Sequence, residues 1–342
     1  MGQGPPSASP APAASDAHAA ARLPTLSVVV PNYNHAQYLP ASLPAIARQS
    51  FPPLEVIVLD DASTDDSLAV IERLATQFPV IRLVRNEKNL GVMPNLNKGV
   101  GLCRGDYIFI ASADDEILPG LFEKSMQLLA QYPQAAHSCT LSEWRYVDSG
   151  LSWHMSAGMA DGPAYLSPED LVRLGRQGKL MISSSSIVFR KEALCNVHGF
   201  IPELRWHADW FAAFISAFRY GLCYVPECLS LVNILPKSFY TAGRKGQEHE
   251  KVLLGILERL NQPEFADVRP RVRDSGALSL FATPMLRLIL SRPEFRYYFN
   301  STFLCRTLRR SAELAGRRVL PTWLARWILN RFYRAEPVSP RT

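Results

Sequence analysis

The sequence predicts an α/β fold built on a doubly wound, mainly parallel sheet. Between Leu26 and Tyr132, apolar runs rich in Val and Ile alternate repeatedly with amphipathic stretches. The runs are continuously apolar, as in strands covered on both faces. Each is followed by a polar, turn-forming cluster, which is where open parallel sheets keep their ligand sites.

The elements follow in order. "LSVVV", from Leu26, is the first strand. Leu39, Leu43 and Ile46 then recur at helical spacing, although Pro40 and Pro44 interrupt and an interior proline costs a helix about 3 kcal/mol. "LEVIVL" is the second strand, and "SLAVIERLATQF" a helix with Leu68, Ile71, Leu74 and Ala75 on one face. "VIRLV" is a third strand and "GVMPNLNKGVGLC" a glycine-interrupted helix. "DYIFIA" is a fourth strand, before a helix in "PGLFEKSMQLLAQY" with Pro119 in its first turn. After Ala135 the alternation fades. "PQAAHSCTLSEWRYV" reads as one more strand, and a loop runs to about Ser167. "ISSSSIVFR" reads as a strand, "HADWFAAFISAFRYG" as an amphipathic helix and "CYVPECLSLVNI" as a last strand. Helices alone are expected from about Gln247. The expected division is a disordered Ala/Pro/Ser-rich leader over 1–24, a main α/β domain over 25–245 and a helical region over 246–342.

A chain of 342 residues buries a full core. Its 47% apolar and 20% charged residues are ordinary for a globular protein. The net charge of +6 is modest, but Arg and Lys crowd the stretch after Arg269. No apolar run is long enough for a membrane span. The N-terminus lacks the charged and apolar regions of a secretory signal. The cysteines form no CxxC pair and read as buried free thiols of a reducing cytoplasm.

The strand ends carry the chemistry. "DDASTDD" after the second strand places four carboxylates in seven residues. It reads either as a capped helix start, with Thr64, Asp65 or Asp66 as cap, or as a site that handles cations. After the fourth strand, "SADD" sets Asp114 beside Asp115, a pair suited to Mg²⁺ or Mn²⁺ that keeps waters and substrate phosphates on its other positions. Asp209 opens the apolar helix, where a carboxylate is favoured by the dipole with or without a chemical role. A dehydrogenase would need a Gly-rich turn after the first strand, and "PNYNHAQ" has no Gly. No P-loop sequence is present.

Four blocks, "VVVPNYNHAQYLPASL", "VIVLDDASTDDS", "GDYIFIASADDEILPGLF" and "LRWHADWF", resemble in order and spacing the inverting, nucleotide-sugar-dependent glycosyltransferases of family 2 with the GT-A fold. The resemblance spans Leu26 to about Val232. It implies a GT-A type sheet with a nucleotide-binding half, an acceptor half and a C-terminal helical appendage. It implies that Pro31 and Tyr33 lie along the nucleotide base and that Asp61 accepts from it. Asp114 matches the metal-binding member of the DxD motif, Asp115 its acidic neighbour, and Asp209 the catalytic base. Two positions depart from the pattern. Ser112 replaces the first Asp of DxD, so a hydroxyl meets the ribose and no charge is added. Ala208, preceded by His207, stands where Glu often precedes the base; His207 itself reads as a structural histidine.

The implied reaction is a single displacement on a nucleotide-diphosphate sugar, a UDP-sugar, with Mn²⁺ or Mg²⁺ and a saccharide or lipid-linked acceptor, in the synthesis of cell-surface polysaccharide or glycolipid. A nucleotide-sugar-binding relative without transfer activity is the alternative, because of Ser112. The segment carrying Arg306, Arg309, Arg310, Arg317, Arg318, Arg326, Arg331 and Arg334 is interleaved with Trp323, Trp327 and Phe332. It suits either a basic helix resting peripherally on the inner face of a membrane or a helical region packed on the main domain. No nucleic-acid reader motif accompanies it, and the expected location is cytoplasmic.

Overall fold

The computed structural model describes residues 24–148, 152–234 and 246–319. The expected leader and the Trp-rich basic stretch after Val319 lie outside them. A single ten-stranded mixed sheet runs through the molecule. In chain order its strands are β1 (Leu26–Asn32), β2 (Glu55–Asp60), β3 (Ile81–Arg85), β4 (Tyr107–Ile110), β5 (Glu116–Ile117), β6 (His137–Tyr146), β7 (Ser152–Met155), β8 (Ala164–Leu166), β9 (Val188–Arg190) and β10 (Leu222–Ile234). Their spatial order is β3-β2-β1-β4-β9-β6-β10-β5, with β7 beside β6 and β8 beside β10.

The first four strands form the parallel half. β1 lies between β2 and β4, with Val28 level with Val56 on one side and Phe109 on the other. The unbroken "VVV" run follows from burial on both faces. Val28 and Val30 pack with Leu39, Leu43 and Ile46 of α1 (Leu39–Ala47) and with Ile71 and Leu74 of α2 (Ser67–Gln77). Val29, Ile57 and Leu59 pack on the other face against Met93, Leu96 and Val100 of α3 (Val92–Leu102). The helix α1 survives its prolines: Pro40 sits in the first turn and only Pro44 lies inside.

Gly99 lets α3 approach this sheet. A Cβ there would stand 2.5 Å from Val29 Cγ1 and 2.6 Å from Leu59 Cδ1. Both are fully buried, so neither yields without shifting a strand. Gly99→Ala should destabilise by about 1–3 kcal/mol despite alanine's better helix propensity. Thermal denaturation checks this; an unchanged or raised melting temperature would show that the packing relaxes.

Several expectations need correction. The sheet is mainly parallel as expected, but the short strand β9 inserts antiparallel between β4 and β6. Parallel pairing resumes only between β6 and β10. The stretch read as a loop to Ser167 holds β7 and β8. "ISSSSIVFR" is strand only at its end, since Ser184–Ser186 form a 3-10 turn. There the Ser186 hydroxyl bonds the carbonyls of Thr140 and Ser183, the local competition with sheet pairing expected of serine. Pro119 lies outside α4 (Leu121–Gln131), which starts after Gly120 in a left-handed conformation. Cys195 and Cys305 are exposed; the buried thiols are Cys103, Cys139 and Cys223.

Beyond β4 the sheet is accompanied by α5 (Pro168–Gln177), α6 (Lys191–Cys195) and α7 (Ala208–Tyr220). The later helices are α8 (Gly246–Leu260), α9 (Arg269–Ser275), α10 (Ala282–Ser291) and α11 (Ser301–Val319). Leu253, Phe265, Val272, Met285 and Phe303 belong to the same apolar core as Val29 and Phe211. Arg219 of α7 makes a two-pronged bond to Asp267, with Nε to Oδ2 at 2.7 Å and Nη2 to Oδ1 at 2.8 Å. Among the described residues, no helix is long and apolar enough to cross a membrane.

Candidate active site

The carboxyl ends of β1, β2 and β4 open on one edge of the sheet, as their parallel register requires. Here "PNYN" and "DDASTDD" interlock. Asn32 Nδ2 donates to Asp60 Oδ1 at 2.9 Å, and Asp60 Oδ2 accepts from Ser63 N at 3.0 Å. Asn34, with φ of 56°, accepts from Thr64 N at 2.8 Å and donates its own N–H to Ser63 Oγ. Asp65 accepts from Ala36 N and Ser67 N, both at 3.0 Å. Asp66 is the N-cap residue of α2 without making a side-chain cap bond. Three of the four clustered carboxylates therefore serve as loop clamps, Asp61 among them. Tyr33, between the clamped asparagines, is left 45% exposed, and Pro31 is half-buried at the end of β1.

Asp61 is 4% exposed and heavily bonded. Oδ1 accepts from Asn86 Nδ2 at 2.8 Å and Leu90 N at 2.9 Å, and Oδ2 accepts from Gly91 N at 2.9 Å. It ties the β3–α3 loop to the end of β2. A carboxylate has about four acceptor positions, so Oδ2 retains one for a ligand donor.

Beyond β4, Asp114 and Asp115 are gathered by β10, and Ser112 is exposed two residues before them. Asn233 donates its Nδ2 to the Asp114 carbonyl at 2.9 Å and its N–H to Asp115 Oδ1 at 3.2 Å. Burial pushes the Asp115 carboxyl up and the adjacent Asp114 charge pushes it further. Donors on Asn233, Ser185 and Ser112 pull it back, and it settles at about 7. A negative pair this uncomfortable fits a cation. Among the described residues, no group of three His, Cys, Asp or Glu side chains forms a metal cage. The donor set thus suits a hard ion that keeps waters and phosphate oxygens, as Mg²⁺ and Mn²⁺ do, rather than a structural zinc.

Asp209 stands in the first turn of α7 and accepts from Trp210 N at 2.7 Å. Burial raises its carboxyl above the ordinary 3.8, and this outweighs the hydrogen bonds from Ser184 and Trp210. It lines a cavity of about 130 Å³ with Trp144, Trp206, Trp210 and Phe281. The indole Nε1 of Trp210 is buried with no acceptor among the described residues, a donor that a bound hydroxyl would satisfy. His207 is structural in its surroundings. It is 6% exposed, lies edge-on to Phe281, and its Nε2 is 3.2 Å from Nε2 of His249.

The serine run joins the two centres. Ser183 accepts from the Trp144 indole at 3.1 Å, and the hydroxyls of Ser184 and Ser185 lie near enough to Asp209 and Asp115 to lower their carboxyls. Ser184, Ser185 and Asn233 are site residues the sequence reading missed. A four-serine run before a strand was the signal available for the first two; Asn233 offered only its place at a strand end.

The family model described as Glycosyl transferase family 2 matches residues 27–196. An uncharacterized glycosyltransferase, YibD, of Escherichia coli is 28% identical over 260 residues, 71% of this chain and 72% of that protein. A GalNAc(5)-diNAcBac-PP-undecaprenol beta-1,3-glucosyltransferase of Campylobacter jejuni is 26% identical over 69% of this chain and 73% of its own length. Among solved structures, S. aureus TarS 1-349 in complex with UDP-GlcNAc superposes with a TM-score of 0.58, at 16% identity, over 91% of each chain. That likeness establishes the GT-A type fold.

Proposed function

The chain belongs to glycosyltransferase family 2, and from that premise we propose that it transfers a sugar, with inversion, from a nucleotide-diphosphate donor to a saccharide or lipid-linked acceptor during cell-surface glycan synthesis. The observation that carries this reading is the serine turn: Ser184 lines the same cavity as Asp209, and the hydroxyl of the next residue, Ser185, lies near enough to Asp115 to lower its carboxyl. Donor and acceptor chemistry are thereby set on neighbouring residues of one rigid turn.

The roles follow from position. Tyr33 offers an exposed ring face to the base, and Asp61 Oδ2 offers its remaining acceptor. Ser112 bonds the ribose, and Asp114 with Asp115 holds the divalent ion. When bound, that ion supplies positive charge to the diphosphate as its bond to the sugar breaks. Asp209 takes the proton of the acceptor hydroxyl, whose oxygen forms the new bond to the anomeric carbon from the opposite face. The bonding electrons of the old C–O bond leave with the nucleotide diphosphate. The raised affinity of Asp209 for a proton makes it a better base than an exposed aspartate, and the surrounding indoles keep competing water out.

A UDP-sugar is our preferred donor, in line with the UDP-GlcNAc held by the TarS neighbour. The undecaprenol-linked acceptor of the Campylobacter relative favours a lipid-linked acceptor here, met at the inner face of a membrane from the cytoplasmic side. The test is hydrolysis of a panel of nucleotide sugars with and without Mn²⁺. Nucleotide release from at least one donor, dependent on the ion, is the expected result. Donor binding with no release, with or without added saccharides, would leave a binding protein and overturn the proposal.

A further inference from the structure

Next to the cavity at Asp209 lies a second one, of about 290 Å³. The two share Met155, Met181, Leu280 and Arg310 as walls, so they are adjoining chambers. Neither is lined by Asp61, Asp114 or Asp115. The second chamber thus continues away from the base on the acceptor's side. At about 30 Å³ per water, its volume accommodates a phosphate with part of the group that carries it.

Its lining is strongly cationic. Arg176, Lys179, Arg306, Arg309 and Arg310 face it, and Glu313 is the only carboxylate among the described residues that line it. Arg309 Nε and Arg310 Nη1 share that carboxylate, at 3.1 and 3.4 Å. Arg176 is 3.5 Å from Asp274, which is not part of the lining. Lys179, exposed at the rim, has no ion pair among the described residues. Arg306 is fixed from within, its Nη1 donating to the carbonyls of Gly175 and Ser275. Burial, and to a lesser degree the charges of Arg309 and Arg310, lowers its guanidinium to about 10. Glu313 and Asp274 offset only part of the charge of the five cations among the described residues, and like charges in excess destabilise a compact state. An anion resolves it, and guanidinium forks match phosphoryl oxygens in geometry.

We propose that this chamber binds a phosphate or diphosphate group carried by the acceptor, with Lys179, Arg309 and Arg310 as its principal contacts, and so presents the acceptor's hydroxyl to Asp209. The inference rests on the reading of Asp209 as the acceptor-side base. The shared chemistry is a phosphoryl group, from a lipid diphosphate or from a soluble polyol phosphate.

The test uses the full chain in EDTA, where the donor site lacks its ion. Citronellyl diphosphate, glycerol 1-phosphate and neutral octyl glucoside are titrated by calorimetry. Both phosphorylated probes should bind with an affinity that falls as salt rises, and the neutral glycoside should not. Tighter binding of the citronellyl probe identifies a lipid diphosphate; equal binding identifies the phosphate alone. Lys179→Glu and Arg309→Gln should each weaken binding about tenfold or more, the usual worth of a charge-assisted hydrogen bond. Cys305 also lines the chamber and is exposed. In a Cys195→Ser background, its alkylation rate should fall when the phosphorylated probe is present, which locates the site. Binding unaffected by both substitutions, no protection of Cys305, or equal binding of the neutral glycoside would overturn the proposal. Probe binding without any donor hydrolysis would instead defeat the transferase reading and leave the anion site standing. Hydrolysis without probe binding would do the reverse.

Discussion

Asp209→Asn should lower sugar transfer by about 10²- to 10⁴-fold, the range contributed by a positioned acid–base group. Asparagine keeps the shape and one acceptor for Trp210 N, so the turn at the start of α7 survives. It cannot take a proton. Donor and metal affinity should hardly change, because the Asp114–Asp115 pair is bonded to Asn233 and not to this residue. Stability should move the other way. Burial raises the Asp209 carboxyl in the folded state, so its contribution is complete below the unfolded value near 3.8 and is lost as pH rises through the folded value. At neutral pH the buried charge is a burden, and Asp209→Asn should melt higher than the parent while being nearly inactive. Ser184→Ala removes a hydroxyl that lowers the Asp209 carboxyl, so the acid limb of the rate–pH profile should shift to higher pH. Full activity in Asp209→Asn, or lost donor binding with intact turnover, would remove Asp209 from the role of base.

Asp114→Asn should abolish the Mn²⁺-dependent part of nucleotide binding. Outer-shell partners of a metal are worth about 10- to 100-fold in affinity, so loss of a ligand in a site with so few carboxylates should exceed about 100-fold. The fold should persist, since the bond from Asn233 goes to the Asp114 backbone carbonyl and not to its carboxylate. Calorimetry of UDP with Mn²⁺ and with EDTA separates the two components. Equal Mn²⁺-dependent affinities in parent and variant would place the ion elsewhere.

The parallel half was legible because its strands are buried on both faces and therefore read as unbroken apolar runs, of which "LSVVV" is the plainest. The acceptor half was less so. Val188–Arg190 is too short to carry a pattern, and it pairs antiparallel with strands distant in sequence, so no local signal announces the change of direction. The serine turn was misread because serine's preference for its own backbone leaves no trace in hydrophobic periodicity. Asp61 was visible as a strand-end acid, but its bonds to Asn86, Leu90 and Gly91 depend on a loop brought back by topology. The basic chamber was the least legible part. Its cations come from the end of α5, the residues just after it and α11, more than a hundred residues apart, and in the sequence Arg306, Arg309 and Arg310 read as one end of a basic surface helix.

The apolar core that joins Val29 and Phe211 to Phe265 and Phe303 bears on how the chain is made. Synthesis proceeds from the N-terminus, and domains generally fold as they emerge. The sheet and α7 are complete once Ile234 leaves the ribosome, yet Phe211 then has no Phe265 to close against, a contact of 5.3 Å between ring centroids in the finished protein. Until α8 to α11 are translated, the nascent chain holds that face of α7 toward water, the kind of surface that chaperones bind and that aggregates when they are scarce. Stop codons between residues 246 and 300 should therefore yield insoluble protein in cells, even though every residue assigned here to the donor site and to the base has already been made.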